Sequence, residues 1–255
     1  MFLVDINTNM LISMHLQFSI KNIIYFLIVL LLFSTCSQDV NSNYKNITTE
    51  EANSILEAEN AIILDVRTKD ETSNGYIPNA TFIDYYADDF DNKVKLINKK
   101  KTVYVYCKSG GRSLKVVEKM SRLGFIDVYN LDGGFMRWKK ASLPFNIDSL
   151  SNYKSEQNIF TQPYIDSILF NNSNVLLCIS TQWCMPCKKM EPIIDKVDVD
   201  LKDKVLVLRL DPDDNPFITK KYDILSIPTY VLYKNNLEVW RKNGIIAYSE
   251  LVKNI

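Results

Sequence analysis

The chain has 255 residues, 47% of them hydrophobic and 24% charged, which is typical of folded globular domains and gives room for two of them. Lysine plus arginine and aspartate plus glutamate both total 30, so the balanced charge gives no sign of a nucleic-acid partner or another polyanion. We therefore look for chemistry in the five cysteines and the single histidine.

An unbroken apolar run of 11 residues, 23–33, follows Lys21. The run is short for a membrane span but fits the hydrophobic region of a secretory signal. Residues 33–36, Phe-Ser-Thr-Cys, resemble a bacterial lipoprotein box, which implies a lipidated Cys36. We expect a signal peptide at 1–35 and a membrane tether at 36–46, with the protein anchored on the periplasmic side of the cell envelope. An uncleaved anchor would give nearly the same topology.

Cleavage before Cys36 would also remove His15, the only histidine. The mature chain would then have no Cys–His or Ser–His nucleophile pair and no histidine-containing zinc site. Any activation of its cysteines must come from a cation, a helix terminus or backbone amides. We predict no cofactor and no metal.

Short apolar strands alternate with helices between residues 47 and 145. A capping box at 48–51 predicts the first helix. The apolar pattern predicts strands at 61–65, 102–106 and 127–130 and helices at 114–123 and 133–140. This alternation predicts an α/β domain with a doubly wound parallel sheet.

Cys107 lies between one predicted strand and the helix that follows it. The loop at 107–113 reads Cys-Lys-Ser-Gly-Gly-Arg-Ser, so the amides of 108–112 are expected to surround the sulfur, with a helix N-terminus directed at it. Such surroundings lower the pKa of a cysteine. Gly110 and Gly111 allow a tight backbone, and Arg112 adds a planar donor fork suited to an oxyanion such as thiosulfate.

Four blocks of sequence resemble the rhodanese sulfurtransferases in order and spacing: residues 65–67, 75–80, 107–113 and 131–138. The resemblance implies that Cys107 is catalytic and carries sulfane sulfur as a persulfide, and that Asp65 and Arg67 frame the loop. It also implies substrate binding by Lys108, Ser109, Gly110, Gly111, Arg112 and Ser113.

The loop length separates two chemistries in this group of proteins. Four residues lie between Cys107 and Arg112, as in the sulfurtransferases, whereas related phosphatases have one more. Tyr76 and Asn79 depart from the histidine and glycine usual in the family. A loop that only binds anions, without turnover, is the alternative.

Residues 146–157 are polar and predict a linker, and a second αβ unit follows at 158–255. The predicted strands are 174–180, 205–210, 229–233 and 237–241, and the predicted helices are 185–199, 216–222 and 249–254. Cys184 and Cys187 lie at a helix start with the spacing of a small disulfide ring. Half of a zinc site is the alternative, but the further ligands it needs are lacking. Cys178, within a strand, is interpreted as a buried structural thiol.

Residues 183–188, Pro192 and residues 226–229 resemble thioredoxin, which implies a mixed sheet. The resemblance implies that Cys184 is an exposed nucleophile and Cys187 the buried resolving thiol. Trp183, Ile227 and a cis Pro228 would bind the substrate. Cys178 stands where a buried aspartate is usual. Pro186 and Ile227 favour a reductase over an oxidase.

The two resemblances together predict a cell-envelope sulfurtransferase and thiol–disulfide oxidoreductase. Its partners would be a sulfane-sulfur donor such as thiosulfate or a persulfide, protein disulfides, and a membrane electron donor, since the periplasm is oxidising. We hypothesise that Cys184 attacks a Cys107 persulfide and that Cys187 releases sulfide. The alternatives are a thioredoxin-type reductase with a non-catalytic rhodanese module, and a binding lipoprotein without enzymatic activity.

Overall fold

A computed structural model describes residues 44–55, 61–147 and 159–255. The predicted signal peptide, Cys36 and most of the predicted linker lie outside these residues. None of the helices in the described ranges is long and apolar enough to cross a membrane.

The first domain, residues 44–147, contains a five-stranded parallel sheet with the order β1-β5-β4-β2-β3. Its strands are β1 (Tyr44–Ile47), β2 (Ile62–Asp65), β3 (Ala80–Phe82), β4 (Thr102–Tyr106) and β5 (Asp127–Leu131). Its helices are α1 (Thr49–Ile55), α2 (Lys69–Thr72), α3 (Phe90–Lys95), α4 (Gly111–Arg122) and α5 (Gly134–Lys140). The predicted fold class is confirmed.

Helices cover both faces of this sheet. Side chains of α3 and α4 pack with one face of the central strands in one buried cluster, and side chains of α1 and α5 pack with the other face in a second cluster. All four residues of β2 are buried, as expected for a parallel strand covered on both sides. The cysteine loop begins at the end of β4, whose last two residues are buried.

The start of the domain differs from the prediction. Tyr44, Lys45 and Asn46 were assigned to the tether, but they form β1, which pairs with β5. The strand escapes a pattern search because its middle residues are polar and exposed. Its pairing depends on β5, more than eighty residues away in the sequence.

A buried ion pair holds the carboxyl ends of the central strands. Arg67 Nε donates to both carboxylate oxygens of Asp65 at 2.9 and 3.0 Å, and Arg67 Nη2 donates to the Gly75 carbonyl at 2.8 Å. The guanidinium carbon lies 4.1 Å from the centre of the Phe135 ring. Neither charge of the pair contacts solvent, so each depends on the other for compensation.

The second domain, residues 159–255, contains a mixed four-stranded sheet with the order β7-β6-β8-β9. Its strands are β6 (Asn174–Ile179), β7 (Leu206–Leu210), β8 (Thr229–Lys234) and β9 (Leu237–Asn243), and its helices are α6 (Gln162–Asn171), α7 (Met185–Asp200), α8 (Phe217–Lys221) and α9 (Tyr248–Asn254). Only β6 and β7 are parallel. Helix α6 was not predicted, although the Thr161 side chain caps it.

We expect Arg67→Met to lower the free energy of unfolding of the first domain by about 3–5 kcal/mol, because it leaves the Asp65 carboxylate buried without a partner. Arg137→Met, which removes a half-exposed ion pair with Asp132, is the matched control and should cost less than about 1 kcal/mol. Urea unfolding followed by circular dichroism measures both. Equal losses would mean that the buried pair does not organise the domain.

Candidate active sites

The sulfur of Cys107 lies within a ring of hydrogen-bond donors. The amide of Gly110 donates to Cys107 Sγ at 3.2 Å, and the Ser113 hydroxyl lies 3.5 Å from the sulfur. Cys107 is buried, with 1% of its surface exposed. Of the amides of 108–112 that were expected around the sulfur, those of Ser109 and Gly110 act on it, together with Ser113, which lies outside that range.

The start of α5 holds the loop in this shape. The amides of Phe135 and Met136 donate to the carbonyls of Cys107 and Lys108 at 2.8 and 3.0 Å. A Cβ on Gly134 would lie 2.3 Å from the Cys107 carbonyl oxygen, so only glycine permits this approach. The residues at the start of α5, within the sequence block 131–138, therefore hold the Cys107 loop in its shape.

Two opposing effects set the pKa of the Cys107 thiol. Burial raises it, while hydrogen bonds from the Ser113 side chain and from the amides of Ser113, Ser109 and Gly110 lower it. The donors prevail, and the pKa lies below that of an ordinary cysteine. No histidine side chain is among the donors that lower the pKa of this thiol.

Arg112 forms an ion pair that the sequence did not predict. Its Nη1 and Nη2 donate to the two Glu71 carboxylate oxygens, both at 2.7 Å. This pairing lowers the pKa of Glu71 to about 2. Both terminal nitrogens of the predicted oxyanion fork are therefore engaged by Glu71, which the sequence analysis did not identify as part of the site.

The structure accommodates both residues that depart from the rhodanese pattern. Tyr76 is buried, and its ring meets that of Phe82 edge to face with 5.0 Å between the centres. Asn79 adopts a φ of 62°, a left-handed conformation that glycine favours and asparagine tolerates.

Cys184 and Cys187 form a disulfide at the N-terminus of α7. The amide of Cys187 donates to Cys184 Sγ at 3.2 Å. Both cysteines are buried, with 3% and 2% of their surfaces exposed. The expectation that Cys184 is exposed is therefore wrong for this arrangement of the chain.

The first domain covers Cys184. The amide of Phe82 donates to the Trp183 carbonyl at 3.2 Å, and the amide of Met185 donates to the Thr81 hydroxyl oxygen at 3.1 Å. The residues on both sides of Cys184 thus bind neighbouring residues of β3, Trp183 to Phe82 and Met185 to Thr81.

A third contact involves the backbone before Pro228, whose peptide bond with Ile227 is cis. The amide of Ile227 donates to the Leu96 carbonyl at 2.9 Å. The Leu96 side chain packs into the hydrophobic cluster that contains both cysteines of the disulfide. The expected substrate-binding backbone is therefore occupied by the first domain.

Trp183 lies between the two domains and packs against a hydrophobic cluster of each. Its Nε1 donates to Asp213 at 2.9 Å, and Asp213 also lies 3.5 Å from the ammonium group of Lys93. Sequence reasoning missed both charged residues, because each is one of several like residues in its segment.

Two family models match the chain: Rhodanese-like domain over residues 48–141 and Thioredoxin over residues 156–255. Thioredoxin of Rickettsia bellii is 35% identical over 96 residues, covering 38% of this chain and 91% of the relative. Thioredoxin of Rickettsia felis is 39% identical, with 37% and 90% covered. The crystal structure of a rhodanese-like domain protein from Staphylococcus aureus is 41% identical, with 37% and 90% covered and a TM-score of 0.34.

The chain is a rhodanese-like domain followed by a thioredoxin domain. Its second half belongs to the thioredoxin family. These matches support a protein of sulfur transfer and thiol redox chemistry in general terms.

Cys178 does not take part in the site of the thioredoxin domain. Burial raises the pKa of its thiol to about 12, so it stays protonated at neutral pH. Within the described residues, no group of three or more histidine, cysteine, aspartate or glutamate side chains is arranged to hold a metal ion.

The two candidate sites are separated by the width of several strands. Tyr106 is level with Asp65 on β2, Asp65 is level with Phe82 on β3, and Phe82 binds Trp183. Three steps of strand spacing place Tyr106 and Trp183 on the order of 14 Å apart. Cys107 and Cys184 are the next residues in the sequence, so their backbones lie on opposite sides of β2 and β3 while the domains are packed in this way.

We expect Ser113→Ala to move the Cys107 pKa upward, because the variant loses the side-chain donor that stabilises the thiolate. The rate of alkylation at Cys107 by iodoacetamide, measured against pH by peptide mass spectrometry, should then have its midpoint at higher pH. Ser109→Ala is the matched control, since Ser109 contributes its amide and its side chain is exposed. An unchanged midpoint in Ser113→Ala would exclude the hydroxyl as a donor to the thiolate.

Proposed function

We propose that this protein is a cell-envelope sulfurtransferase and thiol–disulfide oxidoreductase. The observation that supports this function best is the pairing, on one chain, of a thiol surrounded by donors with a dithiol that closes at a helix N-terminus. The first arrangement favours an anionic sulfur, and the second favours reversible two-electron chemistry.

In the rhodanese-like domain, the Cys107 thiolate would attack the sulfane sulfur of thiosulfate or a persulfide. The donor's sulfur–sulfur bond breaks, sulfite or a thiolate leaves with the electron pair, and Cys107 becomes a persulfide. The Gly110 amide and the Ser113 hydroxyl stabilise the anionic sulfur at each stage. An acceptor such as cyanide or a thiolate then takes the outer sulfur and restores the Cys107 thiolate.

In the thioredoxin domain, the reduced Cys184 would attack a protein disulfide and form a mixed disulfide. Cys187 would then attack the Cys184 sulfur, releasing the second substrate thiolate and closing the Cys184–Cys187 bond. Two electrons pass to the substrate. A membrane electron donor of the oxidising envelope must return them before the next cycle.

A relay between the domains would join the two reactions. Cys184 would take the outer sulfur from the Cys107 persulfide, restoring the Cys107 thiolate, and Cys187 would attack the inner Cys184 sulfur to release hydrosulfide. With strand spacing separating the sites by roughly 14 Å, this relay needs a second arrangement of the domains. It is therefore the step of our proposal that depends most on domain movement.

We expect Cys107→Ser to abolish thiosulfate:cyanide sulfur transfer while insulin reduction continues. Cys184→Ser should have the opposite effect. Cys178→Ser, which changes a buried thiol outside both sites, is the control and should keep both activities. The two assays on purified protein measure these outcomes.

Two other results of these assays would each favour one of the alternative functions. Insulin reduction without sulfur transfer in the unmodified protein would favour a reductase with a non-catalytic rhodanese module, and inactivity in both assays would favour a binding lipoprotein. Undiminished sulfide release from persulfidated Cys184→Ser protein would exclude the relay.

The envelope location is supported by the apolar run at 23–33 and the lipoprotein-like residues that end at Cys36. We expect the unmodified protein to incorporate labelled palmitate and to fractionate with membranes in a bacterial host, and Cys36→Ala to lose the label. Cys178→Ala is the control. Label that persists in Cys36→Ala would rule out lipidation at this position.

A further inference from the structure

We propose that the rhodanese-like domain occupies the substrate-binding surface of the thioredoxin domain, so that the dithiol is closed to protein disulfides while the domains are docked. The inference rests on the dithiol activity proposed above and adds that docking of the two domains regulates this activity. Three kinds of contact support it: backbone hydrogen bonds, an apolar insertion and a charge pair.

The hydrogen bonds use backbone groups that an extended substrate would otherwise engage. The carbonyl of Trp183 and the amide of Met185 flank the attacking cysteine, and the amide of Ile227 precedes the cis proline. All three are paired with the rhodanese-like domain. A substrate chain would have to break these bonds before it could bind in their place.

An apolar side chain reinforces this contact. Leu96 packs within the hydrophobic cluster of the thioredoxin domain and is 9% exposed. It follows directly on α3, so the helix delivers both its carbonyl and its side chain to the other domain. A leucine in this position excludes water from the surface around the disulfide.

A charged contact lies on one side of the disulfide. Lys93 of α3 pairs with Asp213, the carboxylate that also accepts a hydrogen bond from Trp183. The Lys93 ammonium group lies 5.9 Å from the centre of the Trp183 ring. The contact therefore involves the tryptophan expected to form a wall of the substrate surface.

Both cysteines of the dithiol are closed to solvent, with 3% of Cys184 and 2% of Cys187 exposed. Beside Met185, Pro186 and Pro228, the domains leave a cavity of about 50 Å³, which also touches Thr81. A disulfide-bearing chain does not fit there, and an attacking sulfur needs to come within about 3–3.5 Å of its target.

The test weakens docking without substituting a residue of the thioredoxin domain or of the Cys107 loop. Thr81→Val removes the acceptor for the Met185 amide at nearly constant volume, and Leu96→Ala removes the inserted side chain. The matched control combines Thr102→Val, whose hydroxyl donates to Asp127 within its own domain, with Leu143→Ala, which packs in the rhodanese-like core.

N-ethylmaleimide labelling of Cys184 in the reduced full-length protein, followed by peptide mass spectrometry, measures access directly. We expect labelling in Thr81→Val/Leu96→Ala to be faster by roughly tenfold or more, because a buried hydrogen bond and a packed leucine are both lost. The control double variant should label at the rate of the unmodified protein. Equal rates in all three proteins would overturn the proposal, and so would an equal rise in the control.

Insulin reduction separates this inference from the activity on which it rests. A parallel rise in reduction and in labelling supports both proposals. Faster labelling without any insulin reduction supports closure of the surface but contradicts reductase activity. Insulin reduction that is fast in the unmodified protein and unchanged in Thr81→Val/Leu96→Ala would overturn the closure.

Discussion

The packing of the two domains against each other depends on the edge strand β3, where successive backbone amides point in opposite directions. The amide of Ile83, directly after β3, donates inward to the Asp65 carbonyl of β2, and the preceding amide, of Phe82, donates outward to Trp183. An edge strand has one row of unpaired backbone groups, which tends to attract another chain. Here the Trp183 carbonyl of the thioredoxin domain accepts a hydrogen bond from the Phe82 amide, and Trp183 directly precedes the disulfide-bonded Cys184.

The same region connects the frame of one domain to the chemistry of both. Arg67 holds Asp65 at the carboxyl end of β2. Asp65 is level with Tyr106 of β4, and the cysteine loop starts at the residue after Tyr106. Backbone amides and a hydroxyl then favour the Cys107 thiolate, while a helix N-terminus serves the dithiol. The thiols of both sites therefore lie beside backbone dipoles and, at Cys107, a neutral hydroxyl, whose effects do not change near neutral pH as that of histidine would.

Much of this structure was predictable, since its elements carry local signals. The bounds of β4 match the prediction because its apolar residues end at a charged and glycine-rich loop. Strand β3 has three residues and no pattern of its own, and it forms only because β2 provides a partner. The place of Glu71 at the start of a helix could be predicted, since Thr68 and Glu71 have capping-box spacing. Its ion pair with Arg112 could not, because the two residues are 41 positions apart. The docked surface could not be predicted, because it joins single backbone groups and side chains from distant parts of both domains.

Closure of the dithiol and a sulfur relay between the sites require different arrangements of the same two domains. Closure uses β3 and Leu96, which lie at the edge of the rhodanese-like sheet and at the end of α3. A relay needs Cys184 to face the Cys107 loop, across a distance of roughly three strand spacings, or about 14 Å. One rigid arrangement does not satisfy both demands, because Trp183 bonded to Phe82 keeps Cys184 at the edge. Loss of the three backbone contacts would therefore open the dithiol to protein disulfides and also free it to approach the persulfide.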